Sequence, residues 1–352
     1  MSAGYSRLAP LPLVVESYRL ETLRLQLAPG FARVTTVIHL EGGGAEGVGE
    51  DVCYEPFEHE DQAAAGPRLP LPGAYTIDSF SRRIGDLDLF PGRGPARPAS
   101  LDYRRWAFES AALDLALRQA GRSLADALGM DPRPLRFVVS MRLGEPPTTA
   151  RVAHRLERHP DLRFKLDPTD DWSPRIVAEL VALGAVEILD MKGRYEEVPF
   201  DVPTLPETYA RLIEAFPGAW IEDPSPAPEL RAALEGHEDR VTWDAPIHSV
   251  ADVLALDRTP AMINVKPSRF GSLERLLATY DHLRERGIGA YGGGQTELGP
   301  GRGQIQYLAS LFHPDAPNDV APAGYNDPAA PPDLPGSPLP VAASPVGFRW
   351  GG

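Results

Sequence analysis

The chain has 352 residues, a formal charge of −14, a sequence pI near 5.1 and 43% apolar residues. This length fits two domains or one large α/β barrel with additions, and the acidic balance argues against nucleic acid or an anionic membrane surface as a partner. Cys53 is the only cysteine, which excludes an intrachain disulfide. The N-terminal segment lacks the basic and apolar regions of a signal peptide, and no later run is apolar enough to span a bilayer, so we expect a soluble, cytoplasmic protein.

The first part of the chain, residues 1–130, is predicted to be a small α+β domain. Within residues 17–54, SYRLETLRLQL alternates polar and apolar side chains, VTTVIHL is rich in β-branched residues, and a glycine-rich turn, EGGGAEG, precedes a third run. The later stretch DYRRWAFESAALDLALRQAG places small and apolar side chains on one face at helical spacing and ends at Gly121. A strand meander followed by helices is therefore expected.

From Leu135 onward, short strand-like runs alternate with helical patterns. The eight runs are RFVVSMRLG, RFKLD, AVEILDMKG, AWIEDP, RVTWDAP, AMINVKPSR, IGAYGGGQTE and DVAPAGYN. After the second run, Ser173 and Pro174 form the N-cap and first turn of a typical connecting helix. The pattern predicts an α/β fold with a (β/α)8-type barrel over residues 131–326. The proline-rich tail, residues 327–352, is expected to be an extended strap or disordered.

Charged residues end four consecutive barrel runs. Asp190 ends the third run, Glu222 the fourth, Asp244 the fifth and Lys266 the sixth. In such barrels the chemistry is carried by the C-terminal ends of several strands, so we expect these side chains to lie together. Three neighbouring carboxylates would repel one another, and a hard divalent cation such as Mg²⁺ relieves the repulsion. A single strand-end acid is more often a helix cap or a solvated loop residue, but three acids in register weaken that alternative.

These residues resemble the motifs of a known family. Asp190, Glu222 within WIEDP, Asp244 within WDAP and Lys266 within INVKPSRFGSL look like those of the enolase superfamily, in its muconate-lactonizing and o-succinylbenzoate-synthase-like branch. GGGQTELGPGRGQIQYLASL and NDVAP resemble the seventh-strand and eighth-strand segments of that branch. The N-terminal part, residues 1–130, resembles its capping domain.

The resemblance implies a Mg²⁺-dependent enzyme that removes the proton α to the carboxylate of a small-molecule substrate. Asp190, Glu222 and Asp244 would bind the Mg²⁺ ion, which stabilises the enediolate that forms. Lys266 would be the general base or its electrostatic partner. Glu297 falls where the family keeps a seventh-strand glutamate that binds substrate, although a helix-capping role suits it almost equally well. A homo-oligomer is also implied.

Two departures from the family pattern bear on the reaction. The second strand of this branch normally ends in Lys-x-Lys, with the second lysine as an acid/base catalyst, whereas this chain has Lys165 and then Asp167. The third strand normally carries Asp-x-Asn, whereas here Lys192 follows Asp190 at that spacing. Lys192 has the same side-chain phase as Asp190, so it is expected either to bind substrate or to pair with Asp167, or else to be a solvated loop residue. Lys165 is expected to face the substrate.

Three functions remain open. With Lys266 as the single confident base, elimination chemistry of the dehydratase, synthase or cycloisomerase type is favoured, which makes the protein a lyase or isomerase. A racemase or epimerase of an acyl amino acid or dipeptide would instead use Asp167 or Lys165 against Lys266. The third possibility is a metal-binding barrel that has lost its chemistry. The polar and aromatic segments 28–33 and 54–66 are expected to contact the substrate.

Overall fold

The computed structural model describes residues 2–28, 31–195, 202–326 and 333–351, and every element below lies within these ranges. The strands are β1 (Pro12–Val15), β2 (Ser17–Ala28), β3 (Phe31–Gly42), β4 (Ala45–Asp51), β5 (Gly73–Thr76), β6 (Val139–Met141), β7 (Phe164–Leu166), β8 (Val186–Asp190), β9 (Trp220–Glu222), β10 (Val241–Trp243), β11 (Met262–Val265) and β12 (Gly289–Gly292). The α-helices are α1 (Ala3–Leu8), α2 (Pro56–Ala65), α3 (Ile77–Gly85), α4 (Pro98–Gln119), α5 (Leu124–Leu128), α6 (Ala150–Arg158), α7 (Pro174–Leu183), α8 (Pro206–Ala215), α9 (Pro228–Arg231), α10 (Val250–Ala255), α11 (Pro267–Phe270), α12 (Leu273–Arg286) and α13 (Pro300–Phe312). None of these helices is both long enough and apolar enough to cross a membrane.

The N-terminal part is built from an antiparallel meander packed against one long helix. β2, β3 and β4 form a three-stranded sheet in that order, and β1 pairs with β5. Helix α4 lies directly on β4, and its apolar face, which includes Phe108 and Leu115, is buried. The contact needs glycine, because a Cβ at Gly47 would stand 2.3 Å from the carbonyl oxygen of Ala111 and one at Gly49 would stand 2.1 Å from that of Ala107. The expected meander and helix are therefore both present.

The C-terminal part is a curled parallel sheet that closes on itself. Seven strands, β6 to β12, are hydrogen-bonded in chain order, and helices follow most of them, as the alternating pattern predicted. The eighth predicted run begins at Asp319, which forms a parallel bridge to Gly293, and the preceding residue, Asn318, forms one to Phe137, so that this segment joins the last strand to the first. A (β/α)8-type barrel with an N-terminal α+β capping domain is confirmed.

The eighth segment is shorter than predicted: backbone hydrogen bonds join Asn318 to Val138 and Asp319 to Gly292, and side-chain hydrogen bonds of Asn318 add to them. The Asn318 side chain accepts the backbone N–H of Gly292 at 2.6 Å and donates to the carbonyl oxygen of Arg136 at 2.9 Å. His313 contacts the same Asn318 oxygen at 2.7 Å. Prolines on both sides of the segment cannot donate to a ladder, so this cluster holds the barrel closed.

The capping domain is fastened over the C-terminal end of the barrel. The buried carboxylate of Glu50, at the end of β4, accepts backbone N–H groups of Leu298, Gly299 and Gly301 at the start of α13, at 2.7 to 3.0 Å. A carboxylate at a helix N-terminus satisfies otherwise unpaired donors and matches the helix dipole. Arg33 likewise donates to the carbonyl oxygen of Gln295 at 2.9 Å. Of the segment 28–33 expected to contact substrate, residues 29 and 30 lie outside the described residues.

The C-terminal segment 333–351, here called the strap, contains no helix or strand. Leu339 pairs with Leu135 in front of the first barrel strand. Further along, Phe348 is fully buried and Arg349 forms a 2.8 Å ion pair with Asp114 of α4. The strap thus links the barrel to the capping domain, while residues 327–332 lie outside the described residues.

Candidate active site

The charged residues at the strand ends are offset along the strands from one barrel strand to the next. Asp190 of β8 is the direct cross-strand partner of Glu222 of β9, and Glu222 in turn is level with Thr242 of β10. Asp244 therefore stands two residues further along than Glu222, with its side chain on the same face of the sheet. Such a stagger is what closing a tilted sheet requires. Asp190 and Glu222 thus share the predicted phase, whereas Asp244 directly follows the end of β10 and its phase stays a prediction.

Three buried carboxylates come closest together. Asp190, Glu222 and Asp223 each offer an oxygen within 4.8 Å of those of the other two, and all three side chains are buried. Asp223 has a left-handed backbone, with φ of 46°, which turns its side chain to accept the N–H groups of Asp244 at 2.9 Å and Ala245 at 2.8 Å. Burial, with the charges of Asp244 and Asp190, raises the pKa of Asp223 to about 7. Negative charge is thus concentrated here.

Lys165 lies between two of these acids, Asp190 and Glu222, and a further one, Asp319. Its ammonium is 3.0 Å from Asp190 and 3.3 Å from Asp319, and it contacts Glu222 as well. Only 2% of its surface is exposed. Burial alone would lower the pKa of Lys165, but Asp190 and Glu222 raise it well above its usual range. The pKa of Glu222 is raised by burial despite Lys165, and its second oxygen accepts the hydroxyl of Tyr291.

On the other side of the cluster, Asp244 is surrounded by donors. Lys266 approaches one of its oxygens to 2.8 Å and Arg269 the other to 2.9 Å. The hydroxyl of Tyr195 donates to the same oxygen as Lys266, at 2.8 Å. Burial would raise the pKa of Asp244, but Arg269 and Lys266 hold it well below its usual range. Arg269 reaches this point because it lies one helical turn after Lys266, in α11.

Asp167 and Lys192 lie on the side of Lys165. The Lys192 ammonium is 3.6 Å from Asp167 and contacts Asp190, so the salt bridge considered for Asp167 and Lys192 is present. Burial raises the pKa of Asp167 although Lys192 opposes the change. Arg142, at the end of the first barrel strand, stands 3.5 Å from the other oxygen of Asp167. Arg142 and Asp167 both line a cavity of about 390 Å³, which is open to solvent and is also lined by Trp172.

Glu297 braces its own loop. Its carboxylate accepts the backbone N–H of Gln295 at 2.6 Å and lies 3.2 Å from the Arg302 guanidinium. The side chain of Gln295 reaches the capping domain, where it accepts the Tyr54 hydroxyl at 2.6 Å and donates to Tyr103 at 3.2 Å. Tyr54 belongs to the segment 54–66 expected to contact substrate.

Several residues of the site were not found from the sequence. They are Tyr195, Asp223, Arg269, Tyr291, Gln295 and Asp319, all bonded to a residue discussed above. Asp223 and Arg269 carry a weak signal, since one adjoins Glu222 and the other follows Lys266 at helical spacing. Tyr195 and Asp319 have no periodic relation to the acids, and only the closed barrel brings them near.

The donor set fits a hard divalent cation. All the candidate ligands are carboxylate oxygens, the type that Mg²⁺ prefers, and they are buried side by side. Burial, and then the charges of Asp244 and Asp190, raise the pKa of Asp223 to about 7, and a cation bound beside it would favour its ionised form. Among the described residues, Asp190, Glu222 and Asp223 have carboxylate oxygens close enough to share such an ion, whereas Asp244, the third acid expected from the sequence, lies outside that group.

Comparison with known proteins gives consistent matches. Sequence profiles of a family described as a domain of unknown function, DUF8230, match residues 6–127 as its N-terminal domain and 131–327 as its C-terminal domain. The N-succinylamino acid racemase of Thermus thermophilus is 25% identical, over 92% of this chain and 86% of that protein. The o-succinylbenzoate synthase of Bacillus subtilis is 26% identical, over 60% of this chain and 57% of that protein. A dipeptide epimerase from Methylococcus capsulatus, solved with a Mg ion, has a TM-score of 0.64 at 19% identity, covering 90% of this chain and 88% of that one.

Proposed function

The chain belongs to the DUF8230 family and is an enzyme of the enolase superfamily, and on that premise we propose that it removes the proton α to a carboxylate of a small-molecule substrate with the help of one Mg²⁺ ion. The observation that carries this proposal is the cross-strand pair Asp190 and Glu222, with Asp244 and Lys266 at the next two strand ends. Acids for a cation and a lysine beside them are what enediolate chemistry needs.

Asp190, Glu222 and Asp244 would hold the Mg²⁺ ion, as expected from the sequence. Asp244 suits this role better than Asp223 for two reasons. Its pKa is lowered, although burial opposes this, because Arg269 and Lys266 keep it ionised, whereas that of Asp223 is raised to about 7 by burial and acidic neighbours. Asp223 also accepts two backbone N–H groups, one of them from Asp244 itself, so it braces the Asp244 main chain. When bound, the ion supplies Lewis-acid stabilisation of the enediolate oxygens.

Lys266 is the proposed base. Its side chain is 8% exposed and is held toward the site by Asp244 at 2.8 Å. Lys165 is a poorer candidate for proton transfer, because three carboxylates surround its ammonium and 2% of it is exposed. Its fixed positive charge instead serves to hold the acids together. One available base favours elimination, as in a synthase, dehydratase or cycloisomerase.

A second candidate, racemisation or epimerisation, is favoured by Asp167. This carboxyl lines the cavity beside the site, on the Lys165 side of the acids rather than the Lys266 side. Burial raises its pKa, so it retains a proton to higher pH than an ordinary aspartate and can return one to the substrate. Substrates of the N-succinylamino acid or dipeptide class, after the names of the relatives, are the first to try.

The test is hydrogen exchange in heavy water, followed by NMR, over a panel of N-succinylamino acids, dipeptides and hydroxy acids. Mg²⁺-dependent loss of the α-hydrogen signal is expected for at least one member. Loss of a leaving group identifies elimination, and deuterium in both enantiomers identifies racemisation. A panel without any Mg²⁺-dependent exchange or turnover would contradict the proposal and favour the metal-binding barrel without chemistry.

The predicted homo-oligomer stays a prediction. Sedimentation velocity at several protein concentrations checks it, and a single monomeric species at all concentrations would contradict it.

A further inference from the structure

The chain contains very few lysines, and all of them lie in the candidate active site. Among 35 lysine and arginine residues only three are lysines, Lys165, Lys192 and Lys266. All three are ion-paired to the strand-end acids of the candidate site. Arginine serves as well as lysine for a solvated surface charge, but its planar fork cannot replace a compact ammonium in a confined site. Lys192 is the only one of the three whose role the proposed reaction leaves unassigned.

Lys192 lies at the boundary between the buried acids and open space. Its side chain is 16% exposed, against 2% for Lys165 and 8% for Lys266. The ammonium contacts Asp190 and stands 3.6 Å from Asp167, which lines the cavity of about 390 Å³. The backbone of Lys192 is left-handed, with φ of 52°, a conformation that costs energy for a residue of this size and marks functional sites.

The Asp190 carboxylate thus pairs with the Lys192 ammonium and is also a proposed ligand of the Mg²⁺ ion. We propose that Lys192 is a substrate-binding cation that becomes available when a divalent cation takes Asp190, and that it then binds an anionic oxygen of the substrate. Lys192 remains charged throughout, and no proton transfer is assigned to it. By linkage, metal and anion binding strengthen each other through this residue. The inference depends on the proposed function for the metal, but it needs no turnover.

The direct test is calorimetry on Lys192→Asn and the wild-type protein. Asparagine is the side chain that best tolerates a left-handed backbone, so the variant removes the charge with little strain. Mg²⁺ alone is expected to bind the variant about three- to tenfold more tightly, because no tethered ammonium competes for Asp190. Oxalate, a planar dianion with the adjacent oxygens of an enediolate, is expected to bind the Mg²⁺-loaded variant about tenfold more weakly than the Mg²⁺-loaded wild type, the loss typical of one charge-assisted hydrogen bond.

Two further variants make the result specific. Arg258→Asn removes a cation that is 71% exposed and paired with Glu238, and neither affinity should change. Lys192→Gln is a second neutral variant if circular dichroism shows that Lys192→Asn is unfolded.

Equal oxalate affinity in the Lys192 variant and the wild type, or no oxalate binding to the Mg²⁺-loaded wild type, overturns the substrate-binding role. Unchanged or weaker Mg²⁺ binding in the variant overturns the competition at Asp190. Failure of the proposed function is seen separately, as a lack of α-hydrogen exchange while the two affinity changes persist.

Discussion

The two sides of the candidate site have opposite charge balance although they use the same kinds of residue. On the fifth-strand side, one acid, Asp244, is shared by Lys266 and Arg269. On the third-strand side, two lysines, Lys165 and Lys192, are shared by four carboxylates, those of Asp167, Asp190, Glu222 and Asp319. Positive charge is therefore in excess where the proposed base lies, and negative charge is in excess where a metal ion would bind.

Under the proposed function, this polarity would give each side a separate task. A carboxylate substrate would be attracted to the cationic side and to the bound metal, whereas Mg²⁺ would be attracted to the acidic side. The following predictions test whether the two sides are functionally distinct, starting with the largest expected effect.

Lys266→Ala should lower the rate of α-hydrogen exchange at least about a thousandfold, because the proposed base is lost. Mg²⁺ affinity should change much less, since the acidic side is intact. NMR exchange rates and calorimetry check the two quantities. Lys266→Arg is the control that keeps the charge, and it should be equally inactive. A variant with more than a tenth of the wild-type rate would show that Lys266 is not the base.

Asp190→Asn and Glu222→Gln should weaken Mg²⁺ binding about a hundredfold, since each removes a charged ligand from the acidic side. Asp244→Asn should do the same if it is the third ligand. Asp223→Asn should have a smaller effect, because Asp223 braces the main chain of Asp244 and Ala245. Calorimetric titration ranks the four variants, and a larger loss for Asp223→Asn than for Asp244→Asn would assign the third ligand to Asp223 instead.

Asp167→Asn should slow racemisation about ten- to a hundredfold while leaving α-hydrogen exchange by Lys266 in place, if Asp167 returns the proton from the third-strand side. Chiral chromatography of the product and NMR exchange measure the two rates. Racemisation at the wild-type rate in this variant would remove Asp167 from the mechanism.

The smallest effect on the site concerns the cluster that closes the barrel next to Asp319. Burial lowers the pKa of His313 to about 4 in the folded protein. In the unfolded chain the imidazole has its ordinary pKa of about 6.5, so between about pH 6.5 and 4 it binds a proton in the unfolded chain but not in the folded protein. The stability linked to neutral His313 is complete above this range and is lost as the pH falls from about 6.5 to 4, by at most about 3 kcal/mol.

His313→Gln isolates this contribution, because other titrating groups are common to both proteins. The difference in free energy of unfolding between wild type and variant should shrink from pH 7 to pH 5 in denaturant titrations. A difference that does not depend on pH would contradict the assignment. Hydrogen exchange at pH 5 should show loosening at residues 318–319 before residues 262–266, which would again separate the two sides.

Much of the fold was predictable because it depends on local patterns. The alternation of short apolar runs and helical stretches predicted the barrel, and β8 ends at Asp190 and β9 at Glu222, as the runs indicated. The eighth strand was overestimated, because the pattern DVAPAGYN does not reveal that pairing is confined to Asp319 and the preceding residue, Asn318, whose side chain adds further hydrogen bonds. The roles proposed for Lys266, Asp167 and Glu297 stay predictions.

By itself, the sequence determined which residues stand at strand ends and on which face, because side-chain direction in a strand follows a period of two along the chain. Only the tertiary structure decided which charges pair. Lys165 bridges Asp190 and Asp319, and Tyr195 reaches Asp244, because closing the sheet brings together strand ends and loops that are far apart in the chain. Pairing energies depend on these distances and on burial, and neither can be read from spacing along the sequence.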